Sequence, residues 1–162
     1  MHMQQVINEP QSVASSRKQE VVGLWLGLLS CERSIEQRLR SHLSENFDVT
    51  LPQFEVLCEL HRKDAPVVMS RLSEQLNVTS SNLTGVVDRL ERKGLASRFR
   101  SKTDRRVQFI EMTSAGQNAY KNISADNALW VARVFTELTD TEVIELQKLL
   151  LKASKSATKA LT

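Results

Sequence analysis

Residues 79–116 read "TSSNLTGVVDRLERKGLASRFRSKTDRRVQFIEMTSAG". Leu83, Val86, Val87 and Leu90 recur at i, i+3, i+4 and i+7, the spacing of one buried helix face. Thr79 or Ser80 supplies the N-cap oxygen, and Gly94 supplies a residue free to turn left-handed at the far end. Just upstream, "SRLSEQLNV" (70–78) has Leu72 and Leu76 four apart, a short helix of its own. Two helices joined through residues 77–79 are a helix-turn-helix candidate. Downstream, "LASRFR" and "VQFIEM" are rich in β-branched and aromatic residues, and the polar "SKTDRR" between them makes a β-hairpin.

With the apolar residues turned inward, Ser80, Ser81, Asn82, Thr84, Gly85, Asp88 and Arg89 face outward. These side chains are mostly short and polar. An ordinary solvated face would more often hold Glu, Lys and Gln, which are better helix formers. A short polar face can enter the major groove of DNA without clashing and bond to base edges or phosphates. The helix N-terminus, with its free N–H groups, favours a nearby phosphate. Arg89 to Arg106 holds eight basic residues and two acids, a net of +6. The whole chain carries +3, so the remainder is −3. A concentrated basic segment on an otherwise slightly acidic chain is the electrostatic footprint of a nucleic-acid site. The hairpin tip contributes Arg100, Lys102, Arg105 and Arg106, together with one carboxylate, Asp104. A basic loop about 20 residues beyond such a helix can follow the backbone into the adjacent minor groove, whose negative potential attracts Arg.

The other segments read as helices, so the fold class is mainly α, of α+β type. From about Glu20 to Glu45, Leu24, Leu28, Cys31, Ile35, Leu39 and Leu43 form an apolar stripe, and Val21, Trp25 and Leu29 add a second one. A helix apolar on more than one side requires more than one partner, and a second subunit is one candidate. "TLPQ" (50–53) starts a second helix carrying Phe54, Leu57, Cys58 and Leu60. Thr113 opens a late helix with Ala115, Ala119, Ile123, Leu129 and Val134. Thr139 and Glu142 then form a capping box before Val143, Leu146, Leu149 and Leu150. The order is four helices, two strands and two helices. Residues 1–18 read as a flexible polar tail without a signal peptide. No apolar run approaches the ~20 residues of a membrane span, which makes the cytoplasm the expected location.

Catalytic signatures are missing from the sequence: there is no GxSxG, HExxH, Gly-rich phosphate loop or CxxC. His42, His61 and a cysteine could in principle assemble around zinc, but scattered histidines are more often surface or packing residues, so no metal, cofactor or enzymatic activity is expected. The two cysteines, Cys31 and Cys58, make no disulfide framework.

The motifs resemble those of the MarR family of transcriptional regulators. "DRRVQFIEMTSAG" is similar to the family's wing motif, Asp-x-Arg followed by a strand and LTxxG, through Asp104, Arg106, Thr113 and Gly116, with Met112 replacing the Leu. "VVDRLERKGL" (86–95) and "VTLPQFEVL" (49–57) are similar to the exit of the recognition helix and to the start of the second helix. The resemblance covers about Glu20 to Ala157. It implies a winged helix-turn-helix over 49–113, with dimerisation helices at 19–48 and 114–160. It also implies a homodimeric repressor on a pseudo-palindromic operator in double-stranded DNA, and a nucleoid-associated location. Ser80, Ser81, Asn82, Thr84 and Arg89 would lie at the major groove and Arg105 at the wing tip in the minor groove. Asp104 and Arg106 would interact and shape the wing. The resemblance further implies release by a small aromatic acid, phenol or thioester, with Trp25, Leu28, Arg33, His42, Phe54, Cys58, His61 and Trp130 as candidate contacts. Alternatives are a redox-sensing repressor using Cys31 and a winged-helix module that binds protein.

Overall fold

The structure is a computed structural model that describes residues 9–160, with side chains from 16 to 159. It divides into two compact units, one ending at Leu51 and the other beginning at Pro52. The first unit is essentially one helix, α1 (Glu9–Phe47). At 1.5 Å per residue it is about 58 Å long. It begins well inside the stretch expected to be a flexible tail; residues 1–8 of that tail lie outside the described residues. Asp48 stops α1 by turning left-handed, with φ of 51°, a conformation Asp tolerates better than most residues. Among the described residues no helix is long and apolar enough to cross a membrane.

The second unit contains α2 (Leu51–Lys63), β1 (Val67–Val68), α3 (Met69–Gln75), α4 (Ser80–Arg92), β2 (Ala96–Arg100), β3 (Gln108–Met112), α5 (Ser114–Val134) and α6 (Asp140–Ala160). The helix-turn-helix and hairpin fall where the sequence places them. Asn77 in the turn (φ 52°) and Gly94 after α4 (φ 69°) are both left-handed. At each, the following residue donates back five positions, Val78 N–H to Ser73 O at 3.0 Å and Leu95 N–H to Leu90 O at 2.9 Å, the bond of a Schellman stop.

The sequence reading omitted β1. Two residues are too short for any alternating pattern to register, but Val67 and Val68 pair antiparallel with Ile110 and Phe109 and complete a sheet of order β1-β3-β2. β3 is therefore the central strand. Its Ile110 is fully buried with Val56, Leu57 and Leu60 of α2, Leu72 of α3, and Leu83, Val87 and Leu90 of α4. All four predicted apolar positions of α4 lie in this core.

The junction between sheet and α5 is held by Thr113. Thr113 N–H donates to Leu95 O at 3.1 Å, and its hydroxyl donates to Gly94 O at 2.6 Å. The same Oγ1 accepts the Gly116 N–H at 3.0 Å, capping α5. Thr113 thus ties the end of α4, the start of β2 and the start of α5 together, which groups α5 with the winged element. At α6, Thr139 and Glu142 form the expected capping box, with Thr139 N–H donating to Glu142 Oε2 at 2.8 Å and Glu142 N–H to Thr139 Oγ1 at 3.4 Å.

Candidate nucleic-acid interface

α4 starts at a Thr79 cap whose Oγ1 accepts the Asn82 N–H at 3.2 Å. The cap leaves Ser80, Ser81, Asn82, Thr84 and Arg89 exposed on one face. Thr84 spends its hydroxyl proton on Ser80 O at 2.8 Å, so toward a ligand it offers chiefly acceptor lone pairs.

The wing is built around Ser101. Its N–H donates to Val107 O at 2.9 Å and closes the loop. Its Oγ accepts the N–H groups of Thr103 and Asp104 at 3.2 and 3.3 Å. Asp104 Oδ1 in turn accepts the Arg106 N–H at 2.9 Å. The expected interaction of Asp104 with Arg106 therefore runs through the main chain. Neither guanidinium, of Arg105 or of Arg106, forms an ion pair among the described residues, and both project into solvent with Lys102 and Arg100. Just behind the wing tip, Phe99 and Phe109 face each other across the strands and stack at 5.4 Å, which stiffens the hairpin.

Arg98 departs from the sequence expectation. It counts toward the basic window, yet its side chain turns back onto α4. Its N–H and Nε donate to the two oxygens of Glu91, both at 2.8 Å, and Nη2 donates to Asp88 Oδ1 at 2.5 Å. Burial alone would lower its pKa, but the bonds to Glu91 and Asp88 outweigh it and hold the guanidinium more firmly charged. Sequence could have hinted at this: Asp88 and Glu91 are three apart on a helix and so share a face.

The candidate ligand residues fall into two groups. On α1, Trp25, Leu28 and Arg33 are exposed, and half-buried His42 sits edge-on to Phe47 at 6.1 Å. On α2, Phe54 and His61 both stack on Tyr120 of α5, at 6.2 and 4.2 Å. Trp130, farther along α5, is half-buried. The sequence reading missed Tyr120, although it shares a helix face with Gly116 and Ile123 at spacings of four and three. Beside the His61–Tyr120 stack lies an open cavity of about 360 Å³ lined by Leu60, His61, Pro66, Glu111, Met112 and Lys121, among others.

Half-buried Cys58 has its pKa pushed up to about 11, by burial first and then by Glu55 and Glu59. At pH 8 its thiolate is scarce, so in the folded protein it should react with iodoacetamide about 100-fold more slowly than an unperturbed thiol, accelerating as pH approaches 11. Alkylation at an ordinary thiol rate would contradict this environment. The other cysteine, Cys31, is exposed.

A model of the MarR family matches residues 49–107. The HTH-type transcriptional regulator MhqR of Bacillus subtilis is 30% identical over 135 residues, covering 83% of this chain and 91% of that protein. The HTH-type transcriptional repressor MdtR of the same organism is 27% identical over 128 residues, covering 77% and 82%. Among solved structures, a mutant MarR of E. coli complexed with operator DNA superposes with a TM-score of 0.71 at 27% identity, covering 83% of this chain and 95% of that one. With its helix-turn-helix, its β-hairpin wing on a three-stranded sheet and these relatives, the chain belongs to the MarR family of transcriptional regulators, winged helix-turn-helix proteins rather than enzymes.

Proposed function

We propose that the protein is a homodimeric repressor that binds a pseudo-palindromic operator through α4 and the wing and is released by a small aromatic ligand. The observation that carries this reading is the pairing, within one compact unit, of a short-side-chain polar helix face with a wing tip whose arginine guanidinia form no ion pair among the described residues. Ser80, Ser81, Asn82, Thr84 and Arg89 read base edges and phosphates of the major groove. Arg105 reaches the minor groove, and Arg100, Lys102 and Arg106 neutralise the flanking backbone. The E. coli MarR relative, whose structure contains operator DNA, supports the same use of the fold here. In the cell such a protein resides on the nucleoid.

A second copy is supported by apolar side chains that one chain leaves in solvent. Leu24 and Trp25 of α1 are 62% and 58% exposed, and Leu149 and Leu151 of α6 are 56% and 57% exposed. Two recognition helices one helical turn apart, about 34–36 Å, then fit the two halves of a palindrome. For the ligand, the stacked Phe54, His61 and Tyr120 offer aromatic faces, and Lys121 offers a charge for a carboxylate or phenolate. Trp25, Leu28, Arg33, His42, Cys58 and Trp130 complete the candidate set.

A gel-shift titration of the DNA upstream of the protein's own gene, against a shuffled fragment of equal length, tests the reading. Specific binding should exceed the control by about 10³-fold or more and fall steeply with salt. Equal, salt-insensitive binding to both fragments would replace the repressor with a protein-binding winged helix. In a thermal-shift screen, aromatic acids, phenols and thioesters that bind the folded protein should raise its melting temperature.

A further inference from the structure

We propose that Arg98 is a positioning residue that fixes the angle of the wing on the recognition helix. The inference rests on the DNA-binding reading of this unit and deepens it. Between α4 and β2 the covalent link is short, passing only through Lys93, Gly94 and Leu95. That link and the Thr113 bonds fix where the wing begins, and Arg98 adds a side-chain tie between β2 and the body of α4. Arg98 lies two residues into β2 and faces α4. Its backbone N–H and its guanidinium both engage Glu91, and the guanidinium also reaches Asp88. The bonds attach main chain and side chain of one strand residue to two successive positions on a single helix face. Such a multidentate fork resists rotation in a way one ion pair does not. The Arg98 side chain is only 23% exposed, so it offers little surface to DNA.

The arrangement has an electrostatic consequence as well. Asp88 and Glu91 are the two carboxylates of α4, and each would repel phosphate if left unpaired. Both are committed to Arg98. The basic segment therefore presents fewer cations to DNA than its composition implies, but it presents them at a fixed spacing. Operator binding needs the major-groove face and the wing tip to engage together, whereas loose attraction to DNA needs only charge. The clamp should accordingly govern discrimination more than general affinity.

Arg98→Lys and Glu91→Gln in the full-length chain test this. Lysine keeps the charge but loses the fork. Operator affinity should fall about ten-fold, while affinity for a shuffled fragment and the salt slope stay at wild-type values. Glu91→Gln removes a negative charge beside the DNA. Charge alone predicts tighter binding to both fragments; the clamp predicts weaker operator binding despite tighter binding to the shuffled one. Wild-type operator affinity in Arg98→Lys, or tighter binding to both fragments in Glu91→Gln, would overturn the proposal. A readout without DNA separates the clamp from the operator reading. With Cys31 and Cys58 replaced by serine, spin labels at Ser81 and Lys102 should give a narrow distance distribution that broadens in either variant. An unchanged distribution overturns the clamp. Broadening in a protein whose wild type shows no operator preference sustains the clamp and rejects the operator.

Discussion

Gly116→Ala should unfold the winged unit at a markedly lower temperature than any exposed substitution on α4. A methyl group built on Gly116 would stand 1.9 Å from Leu95 O, 2.7 Å from Met112 Cγ and 2.9 Å from the Leu95 carbonyl carbon. Met112 could swing aside, but Leu95 O could not. That carbonyl accepts the Thr113 N–H, and Leu95 itself follows the left-handed Gly94. Relief therefore requires α5 to lift from the sheet, which stretches the bonds Thr113 makes to Gly94, Leu95 and Gly116. Overpacking against movable side chains costs about 1–3 kcal/mol. Here the obstacle is backbone, and the cost should reach about 3 kcal/mol or more. For a chain of this size that corresponds to a fall of ~6–12 °C in melting temperature. A thermal melt by circular dichroism measures it, and a change of only a degree or two would show that the α5 junction is looser than this geometry.

The contrast between Gly116 and Arg98 shows what could be read from sequence alone. Periodicity marks helices well, because a helix displays its environment every three or four residues. Leu83, Val86, Val87 and Leu90 identified the buried face of α4, and the Thr139–Glu142 capping box identified the start of α6. The two residues of β1 give no period at all, and their strand exists only because β3 offers an edge to pair with. A window charge counts Arg98 as a surface cation, since composition cannot tell that a strand residue folds back onto a helix seven positions earlier. Tyr120 was missed for a related reason: its partners Phe54 and His61 lie some 60 residues away in the sequence, and no local pattern links them.

The wing tip gives the largest expected effect on binding, and its two central residues have opposite charges but the same predicted direction. Arg105→Ala should weaken operator binding by roughly 1–3 kcal/mol for each wing, or about 5- to 150-fold. If the guanidinium neutralises a phosphate, the slope of log K against log salt should also become shallower by about 0.9 for each phosphate that Arg105 would otherwise neutralise. Arg105 is exposed, so the melting temperature should hardly move. Asp104→Ala removes a negative charge from the same tip, and charge alone would make it bind tighter. Its carboxylate, however, accepts the Arg106 N–H, while its own N–H donates to Ser101 Oγ. Alanine keeps the second bond and loses the first, which frees the stretch that aims Arg105. Binding should therefore weaken, with the salt slope near its wild-type value because every cation of the tip remains. Tighter binding by Asp104→Ala would mean that the carboxylate is only a repulsive neighbour and that the tip orients Arg105 without it. Unchanged affinity in Arg105→Ala would move the minor-groove contact to Lys102 or Arg106.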